Sequence, residues 1–226
     1  MKAIVYHEYG SPDVLGLEEV EKPAPGDGEV LLGVRAASVN PLDWHYLRGM
    51  PYLMRLGTGL RRPRIPRLGV DVAGRIEAVG KNVTQLKPGD EVFGACRGAF
   101  AEYACTPESS VINKPDNVTF EQAAAVPVAA VTALQGLRDR GRLRPGQRVL
   151  VNGAAGGVGT FAVQIAKTLG AEVTGVCSTR NVELVRSLGA DRALDYTRED
   201  FTAAGDRYHL ILDCIGNHLL RACRRA

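Results

Sequence analysis

The feature that most constrains the fold is a strand, a glycine-rich turn and a helix in immediate succession: RVLVN at 148–152, GAAGGVG at 153–159 and TFAVQIAK at 160–167. The unbroken apolar run suits a strand covered on both faces, and the spacing that follows suits an amphipathic helix. A turn of small residues lets the main chain approach a pyrophosphate, whose charge then rests on unpaired amides and the positive end of the helix dipole. Ala154, Ala155, Gly156, Gly157 and Val158 are the candidate cradle. Gly156 is expected to permit the approach, and Gly159 to let the helix pack closely on the strand. The pattern departs from Gly-x-Gly-x-x-Gly because Ala154 stands at the first glycine. A tight strand-to-helix turn would carry a similar string, but the flanking elements favour a dinucleotide site.

An NAD-specific site places an acidic residue about 20 residues further on, against the ribose 2′-hydroxyl. This chain instead reads CSTR at 177–180. Ser178 can donate a hydrogen bond to a 2′-phosphate and Arg180 can pair with it in bidentate fashion. NADPH is therefore expected over NADH; the plainer reading of Arg180 is a residue that solvates the next helix.

The segments around this motif change texture along the chain. Up to about residue 113, short β-rich runs at 2–6, 29–36, 73–79, 90–93 and 99–104 are separated by turn signals, which suggests a small barrel or rolled sheet. The Ala-rich stretch 120–140 reads as a helix capped by Asn117 or Thr119 and interrupted by Pro127. Strand candidates at 148–152, 172–177, 192–196 and 209–215 then alternate with helix candidates at 158–169, 182–188 and 219–225, the signature of a parallel sheet with crossover helices. The expectation is an α/β protein with domains at 1–114 and 115–226.

Composition narrows the function classes. A net charge of +3 is too small to argue for nucleic acid. The arginines at 55, 61, 62, 64 and 67 sit in a Gly- and Pro-broken loop without interleaved stacking residues, so they read as a solvated loop. Five widely spaced cysteines, an odd number without a Cys-x-x-Cys pair, encode neither a disulfide framework nor a zinc knuckle. The first residues, MKAIVYHE, are broken by polar side chains, and no apolar run suits a bilayer. These features lead us to expect a cytoplasmic protein without membrane or nucleic-acid partners.

Several stretches resemble, in family order, the zinc-free medium-chain dehydrogenases/reductases related to NADPH:quinone oxidoreductases: GSPDVL at 10–15, ASVNPLDW at 37–44, LGVDVAG at 68–74, PGDEVFG at 88–94, GAFAEY at 98–103 and the cradle itself. The resemblance implies a GroES-like β-rich N-terminal catalytic domain followed by a Rossmann domain, with the nicotinamide in the cleft between them. It implies reduction of an electrophilic small molecule, a quinone or α,β-unsaturated carbonyl, by direct hydride transfer. Related reductases are commonly dimers, so a homodimer is a candidate assembly. Metal-dependent relatives hold zinc where this chain has Asn40, Val70 and Val128, and two valines cannot ligate a metal.

Without a metal, the protein must orient the reactants and supply a donor for the oxygen that gains charge. Asn40 is the first candidate, through its amide at a developing enolate oxygen or at the cofactor ribose; a turn made with Pro41 is the structural alternative. Asp43 is expected to orient this loop near the cofactor, and Tyr52 to line the substrate pocket or serve packing alone. Thr132 matches a family position facing the nicotinamide, and Tyr196 one beside the 2′-phosphate.

The sequence stops at Ala226, before the strands and return segment that the family adds. Only half of the Rossmann sheet is then expected, in order 3-2-1-4. The strand near 209–215 would be left as an apolar edge prone to aggregation. A catalytically silent dinucleotide-binding protein is the alternative function.

Overall fold

The computed structural model describes residues 1–203 and 205–226. Packing divides them into two compact units, Met1–Val128 and Ala129–Ala226. The sequence reading puts the domain boundary at 114/115, earlier than the packing does. Residues 115–128 stay with the first unit because Ala123 and Ala124 are buried against Ala73, with Ala36, Phe93 and Phe120 around them.

In the first unit, β1 (Lys2–Val5) pairs antiparallel with β2 (Gly16–Glu19). A separate five-stranded antiparallel sheet contains β3 (Glu29–Ser38), β4 (Asp71–Val79), β5 (Glu91–Ala95), β6 (Tyr103–Pro107) and β7 (Val111–Asn113), in the order β6-β3-β4-β5-β7. Val30, Leu32, Ile76, Val92 and Val111 form one core cluster on this sheet. Each such side chain withdrawn from water contributes about 1.5–3 kcal/mol. The register of β3 on β4 slips between Leu31 and Leu32 and between Val34 and Ala36, and such bulges bend and twist a sheet.

Between β3 and β4 lie α1 (Pro41–Arg48) and the single turn α2 (Arg55–Thr58). Pro41 occupies the first position of α1, where its missing N–H costs nothing, and Gly49 ends the helix in the left-handed region. The expected long helix over 120–140 is instead three pieces: α3 (Phe120–Ala124), α4 (Pro127–Leu134), which runs across the division, and a π-helical turn at Gln135–Arg140. Pro127 cannot continue α3 but fits the start of α4. Of the two expected caps, Thr119 is the one used: its Oγ accepts from the Gln122 N–H at 3.2 Å, while the Gln122 side chain accepts the Thr119 N–H at 3.0 Å.

The second unit is built on a parallel sheet of β8 (Arg148–Asn152), β9 (Glu172–Cys177), β10 (Arg192–Asp195) and β11 (Leu210–Asp213). Its order is β10-β9-β8-β11, the expected 3-2-1-4. The helices are α5 (Gly157–Thr168), α6 (Val182–Ser187) and α7 (Leu220–Cys223). Alternate residues of β8 feed opposite faces. Val149 and Val151 pack with Ala162, Val163 and Ala166 of α5, whereas Leu150 packs with Val176, Leu194 and Phe201. This two-sided burial explains why β8 is apolar throughout. Among the described residues β11 pairs only with β8. No helix among them is long and apolar enough to cross a membrane.

Candidate functional site

The head of α5 presents main-chain donors without acceptors. Gly153 leaves β8 with φ +87°, a conformation that favours glycine, and its carbonyl accepts the Gly156 N–H at 3.0 Å, closing a tight turn. A Cβ on Gly159 would stand 2.1 Å from the Gly153 carbonyl oxygen and 2.8 Å from Ala154 Cα, so only glycine lets the first turn of α5 lie on this loop. Among the described residues the amides of Ala155, Gly157, Val158 and Gly159 have no protein acceptor. A Cβ on Gly157 would meet nothing within 4 Å. Four free donors converging at a helix N-terminus suit a diphosphate in chemistry and sign.

Two residues of the expected cradle play other parts. Ala154 is fully buried and gives its N–H to the Val176 carbonyl at 2.9 Å, so it offers a ligand nothing. Gly156 spends its own amide on Gly153 and acts as the N-cap residue of α5. The donor role falls to Ala155, Gly157, Val158 and also Gly159, which the sequence reading used for packing alone.

The ends of β9 and β10 carry three further cofactor candidates, Ser178, Arg180 and Tyr196. Ser178 follows β9 directly, and its Oγ accepts from Asn181 Nδ2 at 3.1 Å. Arg180 is exposed and has no ion pair or hydrogen bond among the described residues. Tyr196, 61% exposed, gives its main-chain N–H to the Cys177 carbonyl at 3.1 Å, which sets it beside Ser178. Sequence reasoning missed Asp195 here. Its carboxylate accepts the hydroxyls of Thr179 (2.6 Å) and Thr197 (2.7 Å) and the Thr197 amide (3.0 Å). The Thr179 bond and then the Thr197 bonds hold its pKa below the usual carboxylate range, so its charge is engaged locally. Thr132 lies exposed on α4, and its hydroxyl does not bond back to the helix.

In the first unit a buried polar centre surrounds Asn40, which is 8% exposed and caps α1. Its main-chain N–H donates to Asp43 Oδ2 at 2.8 Å. Its side-chain Nδ2 donates to Asp71 Oδ2 at 3.0 Å and to Ser38 Oγ at 3.2 Å. Both amide hydrogens are thus spent, which corrects the expectation that Asn40 donates to an enolate oxygen; what it retains is the acceptor Oδ1.

Asp71, absent from the sequence-derived candidates, organises this centre. Fully buried, it accepts the Ser38 hydroxyl at 2.9 Å, the Asn40 amide and the Val128 main-chain N–H at 3.1 Å. Burial raises its pKa, and the bonds from Asn40, Ser38 and Val128 partly offset that rise. Asp43 is also raised, by burial first and by the like charge of Asp71 in addition; its Oδ1 is buried without a partner. Tyr52 stands apart from the centre: it is 68% exposed, with the Arg55 guanidinium 4.9 Å from its ring centroid. Burial pushes the Cys96 thiol up to about 12, so it is no nucleophile near neutral pH.

Zinc does not fit this centre. Asn40 could offer only a neutral amide oxygen, Val70 and Val128 carry no ligating side-chain atom, and no three His, Cys, Asp or Glu side chains among the described residues group as metal ligands. The α5 cradle, by contrast, fits a dinucleotide diphosphate.

Residues 26–116 match the alcohol dehydrogenase GroES-like domain, and residues 157–226 the zinc-binding dehydrogenase family. The chain is 40% identical to a 2-methylene-furan-3-one reductase of Solanum lycopersicum, over 96% of this chain and 57% of that protein. It is 39% identical to a chloroplast envelope quinone oxidoreductase homolog of Arabidopsis thaliana, over 95% of this chain and 68% of the other. The structure of Escherichia coli quinone oxidoreductase complexed with NADPH superposes with a TM-score of 0.79 at 29% identity, covering 89% of this chain and 60% of that one. The chain thus spans between 57% and 68% of the length of these relatives. With both domain families in order, and 39% identity across two thirds of a quinone oxidoreductase homolog, the chain belongs to the zinc-free, quinone oxidoreductase-like branch of the medium-chain dehydrogenases/reductases.

Proposed function

We propose that this chain carries the machinery of an NADPH-dependent reductase of quinones or α,β-unsaturated carbonyls that works without a metal. The observation that carries this reading is the set of unclaimed amides at Ala155, Gly157, Val158 and Gly159 at the head of α5. When bound, the nicotinamide supplies the hydride; the chain binds and orients. The four amides hold the diphosphate, and Ser178, Arg180 and Tyr196 take the 2′-phosphate. Thr132 borders the nicotinamide.

Asn40 Oδ1 accepts from a ribose hydroxyl, while Asp43 fixes the Asn40 main chain and Asp71 fixes its amide. Water or a tyrosine hydroxyl delivers the proton to the oxygen that gains charge, and Tyr52 lines the substrate pocket. The names of the relatives support this substrate class, and the NADPH complex supports the cofactor. Five free cysteines suit a reducing compartment such as the cytoplasm. A homodimer is the assembly we expect.

NADPH consumption against benzoquinone and enone panels, before and after chelator treatment, tests this reading. Activity that survives the chelator is expected, and activity that vanishes on metal removal would refute it. A second reading is a dinucleotide-binding protein without turnover. NADPH binding with no consumption of any acceptor would select it.

A further inference from the structure

The first unit holds a cavity of about 40 Å³ that opens to solvent. Ile65, Leu68, Tyr6 and Tyr46 give it apolar walls, and Arg64, Arg67 and Arg97 are among its lining residues, Arg67 half-buried and the other two exposed. None of these three arginine side chains makes an ion pair or donates a hydrogen bond among the described residues. Arg55 and Arg75 of the same unit do have acceptors. The expected solvated loop is therefore partly a cavity wall.

Tyr6 supplies the second observation. It is 3% exposed as a residue and lines the cavity, and its hydroxyl has no hydrogen-bond partner among the described residues. Burial, with smaller contributions from Tyr9 and Tyr46, pushes its pKa up to about 12, so it keeps its proton and acts as a donor near neutral pH. A cavity with apolar walls, a hydroxyl donor without a protein acceptor and three arginines without a carboxylate partner suits an anion with a flat apolar body.

We propose that this cavity binds a small ring-bearing carboxylate. The ring lies against Tyr6, Tyr46 and Leu68. The carboxylate takes hydrogen bonds from the Tyr6 hydroxyl and from the guanidinium forks of Arg67 and Arg97, whose planar geometry matches two oxygens in a plane. Arg64 adds charge at the mouth. A phosphate shares the charge but makes less use of apolar walls that enclose a flat body.

Calorimetric titration of the intact chain with trans-cinnamate, cinnamamide, phenyl phosphate and inorganic phosphate tests the proposal. The measurements are repeated in R67Q, R97Q and Y6F, after thermal melting confirms that each variant folds. Cinnamate should bind at least about tenfold more tightly than the isosteric amide. R67Q and R97Q should each remove most of that preference while leaving cinnamamide unchanged, and Y6F should weaken cinnamate severalfold. Equal affinity for acid and amide, or a preference unchanged in both arginine variants, would overturn the proposal. So would tighter binding of either phosphate, which would mark a phosphate site instead. Because the readout is direct binding, it is independent of whether NADPH binds or any acceptor is reduced.

Discussion

Replacing Gly159 by Ala sets two effects of opposite sign against each other. Helix propensity alone favours Ala over Gly by up to about 1 kcal/mol in a helix interior. The added Cβ, however, would stand 2.1 Å from the Gly153 carbonyl oxygen and 2.8 Å from Ala154 Cα, both main-chain atoms that cannot swing aside. Reaching ordinary contact requires the start of α5 to move away from the loop by about 1 Å. Overpacking of that kind costs about 1–3 kcal/mol and sometimes more. The expected net effect is a loss of about 1–2 kcal/mol, which lowers Tm by roughly 2–8 °C for a chain of this size.

The same displacement carries the amides of Gly157, Val158 and Gly159 out of convergence, so dinucleotide affinity should fall at least tenfold. Gly157→Ala is the control, because its Cβ meets nothing within 4 Å; it should keep or slightly raise stability. Urea unfolding gives the stability and fluorescence titration with NADPH the affinity. If Gly159→Ala stabilises the protein as much as Gly157→Ala, the packing argument is refuted.

Asp71→Ala should destabilise the first unit by about 1–3 kcal/mol for each donor left dry, since Ser38, Asn40 and Val128 all lose their acceptor; a loss below 1 kcal/mol in denaturant titration would speak against Asp71 as the organising group. Burial raises the folded-state pKa of Asp43, so its contribution to stability is full below the ordinary carboxylate range and is lost as pH rises through the raised value. Asp43→Asn should remove that loss, and its stability relative to the parent should climb with pH across that interval and then level off; a flat difference would contradict the assignment. Thr119→Ala should cost about 1 kcal/mol by removing one half of the reciprocal cap with Gln122, which thermal melting can read.

The parts of the fold legible in the sequence are those set by local pattern. The elements β8 and α5 fall where the apolar run and the glycines put them, within one residue. The parallel sheet follows from the alternation of strands and helices, whereas its order is expected from the family resemblance. The short strands β2 and β7 carry too few residues to show a period. The strand expected over 99–104 begins at Tyr103 instead, because Gly98 turns the chain at φ +88° and Ala101 makes only an isolated bridge with Ala3.

The polar centre was half legible. Asn40 and Asp43 lie three residues apart at a helix start, a spacing that sequence reveals. Asp71 was not legible, because its partners Ser38 and Val128 lie 33 and 57 residues away and meet it only through tertiary structure. Ala154 was misread for a similar reason: its position in the glycine string suggested a donor, whereas β9 claims its amide.

The account rests on main-chain donors that hold a diphosphate beside a cation that takes a further phosphate. Equilibrium titration of the intact chain with NADPH and with NADH, repeated in Arg180→Glu, measures that directly. NADPH should bind at least tenfold more tightly than NADH in the parent, and the preference should disappear or invert in the variant. Equal affinities in the parent, or a preference that survives Arg180→Glu unchanged, would contradict it.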